Sequence, residues 1–245
     1  DKMFVKRFEE ETNLRCNLVI DRSGSMFYPK PDSKNEPNKI QFALQSAASL
    51  VYLMRSQRDA VGLSLFGDGI ELSTPIKSSS VHQSYLFSEM EKVYSQTEGS
   101  HSSNIIESLH VLAEKTHKRS LVVVFSDFMD SLFRENDDQS KLFEALQHLR
   151  FNKHEVVLFH VFDAKTEVEL ELENRPYTFV DMETGEKVKV MPHDIQQQYK
   201  ELRAKRINDI KLKCRQYGID WNECDIKNGV RKVLEAFLTK RSRLR

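Results

Sequence analysis

The seven residues Ser120 to Ser126, SLVVVFS, constrain the fold more than any other stretch of the chain. They are too few and too β-branched for a helix, and they lack the apolar-polar alternation of a strand with one wet face. That pattern predicts a parallel strand buried on both faces, which needs helices packed on each side of it. A second block of the same kind, Val156 to Phe162, follows a helical pattern around Leu142 to Leu149. Upstream, NLRCNLVID (Asn13 to Asp21) and DAVGLSLF (Asp59 to Phe66) read as strands. Between them Ile40, Ala43, Leu44, Ala47, Leu50, Val51 and Met54 recur at helical spacing, with Ala48 and Leu53 making the helix apolar around most of its circumference. Strands alternating with helices, joined by right-handed crossovers, give an α/β fold: a doubly wound, mostly parallel sheet with helices on both faces. The length of 245 residues suits one such domain spanning 1–245.

Smaller signals fill in the order. Gly67-Asp68-Gly69 is a tight turn into a short ribbon near Ile70 to Ile76, which makes a hairpin at the sheet edge. Leu86, Met90 and Val93 suggest a helix, and Ile105, Ile106, Leu109, Leu112 and Ala113 a clearer one with Ser103 at its N-cap. From 164 to 192 the strand-helix alternation stops. Val168-Leu170-Leu172, Tyr177-Phe179 and Val188-Val190 alternate with polar residues around a turn at Glu183 to Glu186, so 164–192 reads as a β-hairpin insertion. A long helix from about Asp194 to Tyr217 ends at Gly218, followed by a short strand, Ile219 to Cys224, and a last helix, Val230 to Leu238.

Composition removes several functions. Lys plus Arg and Asp plus Glu each number 37, so the formal net charge of zero gives no general attraction to nucleic acid or anionic membranes. The longest apolar runs are far shorter than the roughly 20 residues of a membrane-spanning helix. Three scattered cysteines, Cys16, Cys214 and Cys224, form no CxxC pair and point to a reducing compartment. The eight histidines include no HExxH, and GxGxxG, GxxxxGK[ST] and GxSxG are all missing, which argues against zinc hydrolysis, dinucleotide or P-loop binding and a serine nucleophile. His101 lies in a loop that could reach a ligand, Asp68 reads as a turn residue, and the basic tail Lys240 to Arg245 as a solvated helix end. The start at Asp1 suggests that an N-terminal segment is missing.

In a doubly wound sheet, ligands bind beyond the C-terminal strand ends where the strand order reverses. Asp21-Arg22-Ser23-Gly24-Ser25 follows the first strand and places a carboxylate and two hydroxyls at i, i+2 and i+4. Asp127 ends the central apolar strand, which such a sheet sets beside the first. Two carboxylates across a crevice repel unless a cation or proton separates them, and an all-oxygen donor set suits magnesium, with manganese possible. Ser103, from the preceding loop, offers a fifth oxygen. The competing reading is a solvated turn, since Asp, Ser and Gly are ordinary turn residues.

These residues resemble the metal-ion-dependent adhesion site of von Willebrand factor type A domains. More closely, FEEETNLRCNLVIDRSGSM, RSQRDAVGLSLF, LVVVFSDFMD and HEVVLFHVFD, in this order and spacing, resemble the bacterial domain of unknown function 58 family from about Phe8 to the end of the chain. The resemblance implies that Asp21, Ser23, Ser25, Ser103 and Asp127 are metal-site positions, and that further chain precedes Asp1. One departure is that His101-Ser102-Ser103 stands before Asn104, where the family usually has Gly-Gly-Thr. Serine keeps the hydroxyl, and Ser102 and Ser103 remain alternatives for the loop ligand.

Two functions of different class follow. A magnesium held by two carboxylates and three hydroxyls keeps positive charge and an open position for a partner's acidic side chain, which describes a non-enzymatic, metal-dependent protein-binding module. A metal-dependent phosphohydrolase is the alternative; Ser23 at the position of a second Asp, and no obvious lysine partner, count against it. The resemblance further implies cytoplasmic bacterial proteins that act with a MoxR-type AAA+ ATPase, or with its client, in assembly or maturation of other proteins. Nucleic-acid binding and membrane insertion are not expected.

Overall fold

The computed structural model describes residues 14–30, 36–100, 104–129, 136–173, 175–180 and 187–244. Its strands are β1 (Arg15–Asp21), β2 (Ala60–Phe66), β3 (Ile70–Ser73), β4 (Leu121–Ser126), β5 (Glu155–Phe162), β6 (Tyr177–Val180), β7 (Lys187–Val190) and β8 (Asp220–Asp225). Its helices are α1 (Lys39–Ser56), α2 (Ser80–Tyr94), α3 (Ile105–Lys115), α4 (Asn136–Phe151), α5 (Pro192–Gln216) and α6 (Arg231–Leu244). One sheet runs in the order β3-β2-β1-β4-β5-β8 and is parallel except for β3, the edge partner of β2 expected from the Gly67-Asp68-Gly69 turn.

The uniform apolarity of SLVVVFS has the expected cause. Leu121, Val123 and Phe125 enter one core with α1, α2 and α6, while Val122 and Val124 enter a second with α3, α4 and α5. Every residue of β4 is buried. Registry carries both layers across the sheet: Ile20 lies beside Leu65 and Phe125, and Phe125 beside Phe159, whose ring stacks on it at 5.0 Å, while in the second core Val19 lies beside Val124 and Val124 beside Leu158. Helix α1 starts with a capping box in which Asn38 accepts from the Gln41 backbone N–H at 2.9 Å and Gln41 Oε1 accepts from the Asn38 backbone N–H at 3.2 Å.

Several local expectations are corrected. The N-cap of α3 is Asn104, whose side chain accepts from the Glu107 N–H, rather than Ser103. Ser103, His101 and Ser102 lie outside the described residues, as does the expected turn at Glu183 to Glu186. The antiparallel ribbon is confined to β6 and β7, with Tyr177 opposite Val190 and Phe179 opposite Val188. The alternation Val168-Leu170-Leu172 suggested a strand, but Ala164–Val168 forms a single π-helical turn and no strand precedes Tyr177 in this stretch among the described residues. Leu170 follows with φ +47° and a buried side chain, so the alternation there reflected a folded corner. The last helix runs on to Leu244 and takes in most of the basic tail.

Candidate functional site

The strand order reverses between β1 and β4: from β1 the chain adds β2 and β3 on one side, from β4 it adds β5 and β8 on the other. Asp21 is the last residue of β1, and Asp127 follows the last residue of β4, so the topology brings the two expected carboxylates to one crevice. Both are buried. A bend just after Asp127 aims it. Phe128 sits at φ +51°, a left-handed conformation costly for a bulky residue, and its ring is buried 5.2 Å from that of Trp221. Within this bend Phe128 N–H donates to Ser126 Oγ at 2.9 Å and Met129 N–H to Asp127 Oδ1 at 3.2 Å.

On the β1 side, Ser23 N–H donates to Asp21 Oδ1 at 2.8 Å and Ser126 Oγ donates to Asp21 Oδ2 at 2.6 Å. The hydroxyls of Ser23 and Ser25 lie 3.1 Å apart, in the loop whose Ser23 N–H holds Asp21. Gly24–Phe27 forms a 3-10 turn that buries Met26 and Phe27 and anchors the loop. Ser100 pairs with this loop: Gly24 N–H donates to Ser100 O and Ser100 N–H to Arg22 O, each at 2.9 Å. Glycine is required for the approach, since a Cβ at Gly99 would lie 2.5 Å from Arg22 O and one at Gly67 2.4 Å from Ser100 Cβ. Asn104 N–H donates to Gly67 O at 2.8 Å. Ser100 and Asn104, which flank residues 101–103, are thus tied to the loops that follow β1 and β2.

The sequence reading missed Lys39. Its ammonium is buried at the first position of α1, 2.7 Å from Asp127 Oδ2 and 2.5 Å from Glu167 Oε1, with the Tyr28 ring centroid 5.9 Å away. A lysine at a helix N-terminus opposes the macrodipole, and that mismatch was the available signal that an acidic partner waits there. Glu167 lies in the π-helical turn after β5, where Oε2 accepts from Asp163 N–H at 2.8 Å. Nothing in the pattern of 164–172 distinguished it.

Charge sets the character of the crevice. Burial, and then repulsion from Asp127, push the Asp21 carboxyl up to about 7 despite hydrogen bonds from Ser126 and Ser23. Burial also raises Glu167, with Lys39 opposing and Asp127 adding to the shift. Burial works against a charge on Lys39, yet Asp127 and Glu167 outweigh it and hold the ammonium more firmly protonated than usual. Asp127 and Glu167 share one ammonium, and Asp21 adds a third carboxylate beside Asp127. With all ionised, the cluster carries a formal excess of two negative charges, which a proton on Asp21 reduces and a divalent cation would cancel. The donors beside that excess, Asp21, Asp127, Ser23 and Ser25, are all hard oxygens suited to magnesium or manganese. Among the described residues no group of three or more His, Cys, Asp or Glu side chains could hold a metal, so such an ion would depend on the hydroxyls.

The class defined by this geometry is a doubly wound α/β domain with a polar crevice at its topological switch point. Residues 1–208 match the family described as protein of unknown function DUF58, and the chain belongs to that family. No curated protein matches it. Among solved structures, the conserved hypothetical protein BatB from Bacteroides thetaiotaomicron is similar at 14% identity and TM-score 0.48, covering 91% of this chain and 98% of that one. An aerotolerance-related membrane protein from Bacteroides fragilis is similar at 15% identity and TM-score 0.49, with 90% and 100% covered. The PilB minor pilin from Streptococcus sanguinis is similar at 8% identity and TM-score 0.54, with 98% of this chain and 63% of that one covered, a likeness of fold alone. Among the described residues no helix is long and apolar enough to cross a membrane.

Proposed function

We propose that the chain is a non-enzymatic, metal-dependent protein-binding module whose crevice holds magnesium, or manganese, and presents it to an acidic side chain on a protein partner. The observation that carries this reading is the buried pair Asp21 and Asp127, brought together at the switch point beside the Ser23 and Ser25 hydroxyls, with more negative charge than Lys39 balances. Asp21 and Asp127 would supply the charge, Ser23 and Ser25 the neutral oxygens, and Ser103 or its neighbour Ser102 a further hydroxyl. The ion would supply the residual positive charge that a partner's carboxylate completes. Family resemblance suggests a MoxR-type AAA+ ATPase or its client as that partner, and a cytoplasmic setting.

Calorimetry with magnesium and manganese tests the reading: about one ion per chain is expected, and Asp21→Ala should abolish the heat while circular dichroism shows the fold retained. No heat and no shift in melting temperature at millimolar metal would overturn it. Lys39 also supplies the lysine that the phosphohydrolase reading lacked. Ser23 still stands where that chemistry would want a second carboxylate, and both carboxylates within reach of Lys39 already hold it. Magnesium-dependent hydrolysis of a generic phosphate ester, lost in Asp21→Asn, would favour the enzyme.

A further inference from the structure

Lys39 and Glu167 act on this crevice without being candidate ligands, and their arrangement bears on how it accepts a cation. Asp127 Oδ2 is occupied by the Lys39 ammonium, so a divalent ion drawn to Asp127 meets a positive charge already seated there. Two like charges on one carboxylate in a buried site repel strongly, unless one of them has somewhere else to be neutralised. Glu167 provides that place. It is close enough to hold Lys39 by itself at 2.5 Å, and its other oxygen is pinned by Asp163 N–H. The backbone of the same turn is braced from α5, where Tyr199 Oη donates to the Glu167 carbonyl at 2.9 Å.

We propose that Lys39 is a resident counter-cation of the crevice, shared between Asp127 and Glu167, and that Glu167 is the positioning residue that takes over the ammonium when a divalent cation takes Asp127. The proposal rests on the metal-binding reading above and adds to it a control of affinity by two residues outside the donor set. Without a cation, Lys39 neutralises Asp127 and keeps the crevice from carrying three uncompensated carboxylates. With one, Lys39 leans on Glu167, and Asp127 is free to ligate. The π-helical turn that carries Glu167 precedes the ribbon of β6 and β7, so the first turn of the 164–192 insertion becomes part of the site's control even though the ribbon is not.

The consequence is a pair of effects in opposite directions. Removing Glu167's charge leaves Asp127 as the only anion holding Lys39 among the described residues, and the incoming ion must then compete with it. Removing Lys39's charge takes from Asp127 and Glu167 the ammonium that pairs with both among the described residues. Calorimetric titration with magnesium should therefore show binding weakened about tenfold in Glu167→Gln and tightened about tenfold in Lys39→Met, each relative to wild type. Circular dichroism and thermal melts on each variant establish that it is folded at the titration temperature, and Glu167→Gln, which keeps the Lys39–Asp127 pair, provides the test should Lys39→Met not fold. A merely structural role would move both affinities the same way or neither. If wild type binds magnesium and the variants move together, or Glu167→Gln leaves the affinity unchanged, the sharing of Lys39 is wrong and the metal reading stands. If neither wild type nor Lys39→Met binds magnesium, the metal reading itself fails and takes this proposal with it.

Discussion

At the ends of β1 and β4 the chain buries charged and polar side chains, Asp21, Ser23, Lys39 and Asp127 among them, with Glu167 partly buried against Lys39, while in β6 and β7 it leaves Phe179, Val180 and Val188 exposed to solvent. Both regions depart from the usual arrangement of apolar inside and polar outside, in opposite senses. Burying a charge costs several kcal/mol unless it is paired, and the crevice offsets that cost with the hydrogen bonds from Ser23 and Ser126 and the two contacts of Lys39. An exposed apolar residue costs the folded chain little. The crevice is thus the region where a substitution disturbs a balance of large terms, and the ribbon one where it disturbs almost none.

The largest expected effect is on Lys39 in metal-free protein. Lys39→Met removes the only ammonium in contact with Asp127 and Glu167 among the described residues, and breaking one side of a buried ion pair typically costs about 3–5 kcal/mol. Urea denaturation measures it, and millimolar magnesium should recover part of the loss. A cost below about 1 kcal/mol would show that the crevice is wetter than its burial implies.

Asp21 comes next, and here pH sets the sign. Its folded pKa is raised from the ordinary value of 3.8 to about 7. Between those values the unfolded chain has released the proton and the folded chain still holds it, so stability falls as pH rises from about 4 to 7 and levels off above. For metal-free wild type the full penalty is at most about 4 kcal/mol, and relaxation around the carboxylate reduces it. Asp21→Asn has no such proton, so its stability relative to wild type should climb over the same pH range. A constant difference from pH 4 to 8 would mean that Asp21 is ionised throughout. Magnesium should bind more weakly at pH 6 than at pH 8, because the proton on Asp21 competes with it.

Much of this contrast was legible in the sequence. SLVVVFS announced a strand buried on both faces, and Asp21 and Asp127 were placed by their positions at strand ends, because a switch point depends on strand order and not on contact detail. Lys39 and Glu167 were not found, since they meet through a contact spanning 128 positions that no local period records. The alternation of Val168, Leu170 and Leu172 misled for a related reason: a period of two over five residues fits a ribbon and a folded corner equally well, and the burial of Leu170 decided for the corner. Cys16, Cys214 and Cys224 are all buried in the two cores.

The smallest effect belongs to the ribbon. Phe179 and Val188 face each other across β6 and β7 at 37% and 57% exposure, so their side chains make a cross-strand pair on a surface still largely open to water. Such a pair contributes roughly 0.2–1 kcal/mol to its own hairpin. The ribbon is a separate two-stranded sheet, however, and its strands share no ladder with β1 to β5 or β8. Losing the pair loosens the hairpin locally and leaves the two cores around the main sheet as they are. Phe179→Ser and Val188→Ser should therefore each change global stability by no more than about 0.5 kcal/mol, measured by urea denaturation, and leave magnesium affinity where it was. Hydrogen exchange should register the difference that denaturation does not, with faster exchange in β6 and β7 and unchanged protection in β1 and β4. A global loss of about 2 kcal/mol from either substitution would place the ribbon in the same cooperative unit as the crevice and erase the contrast between them.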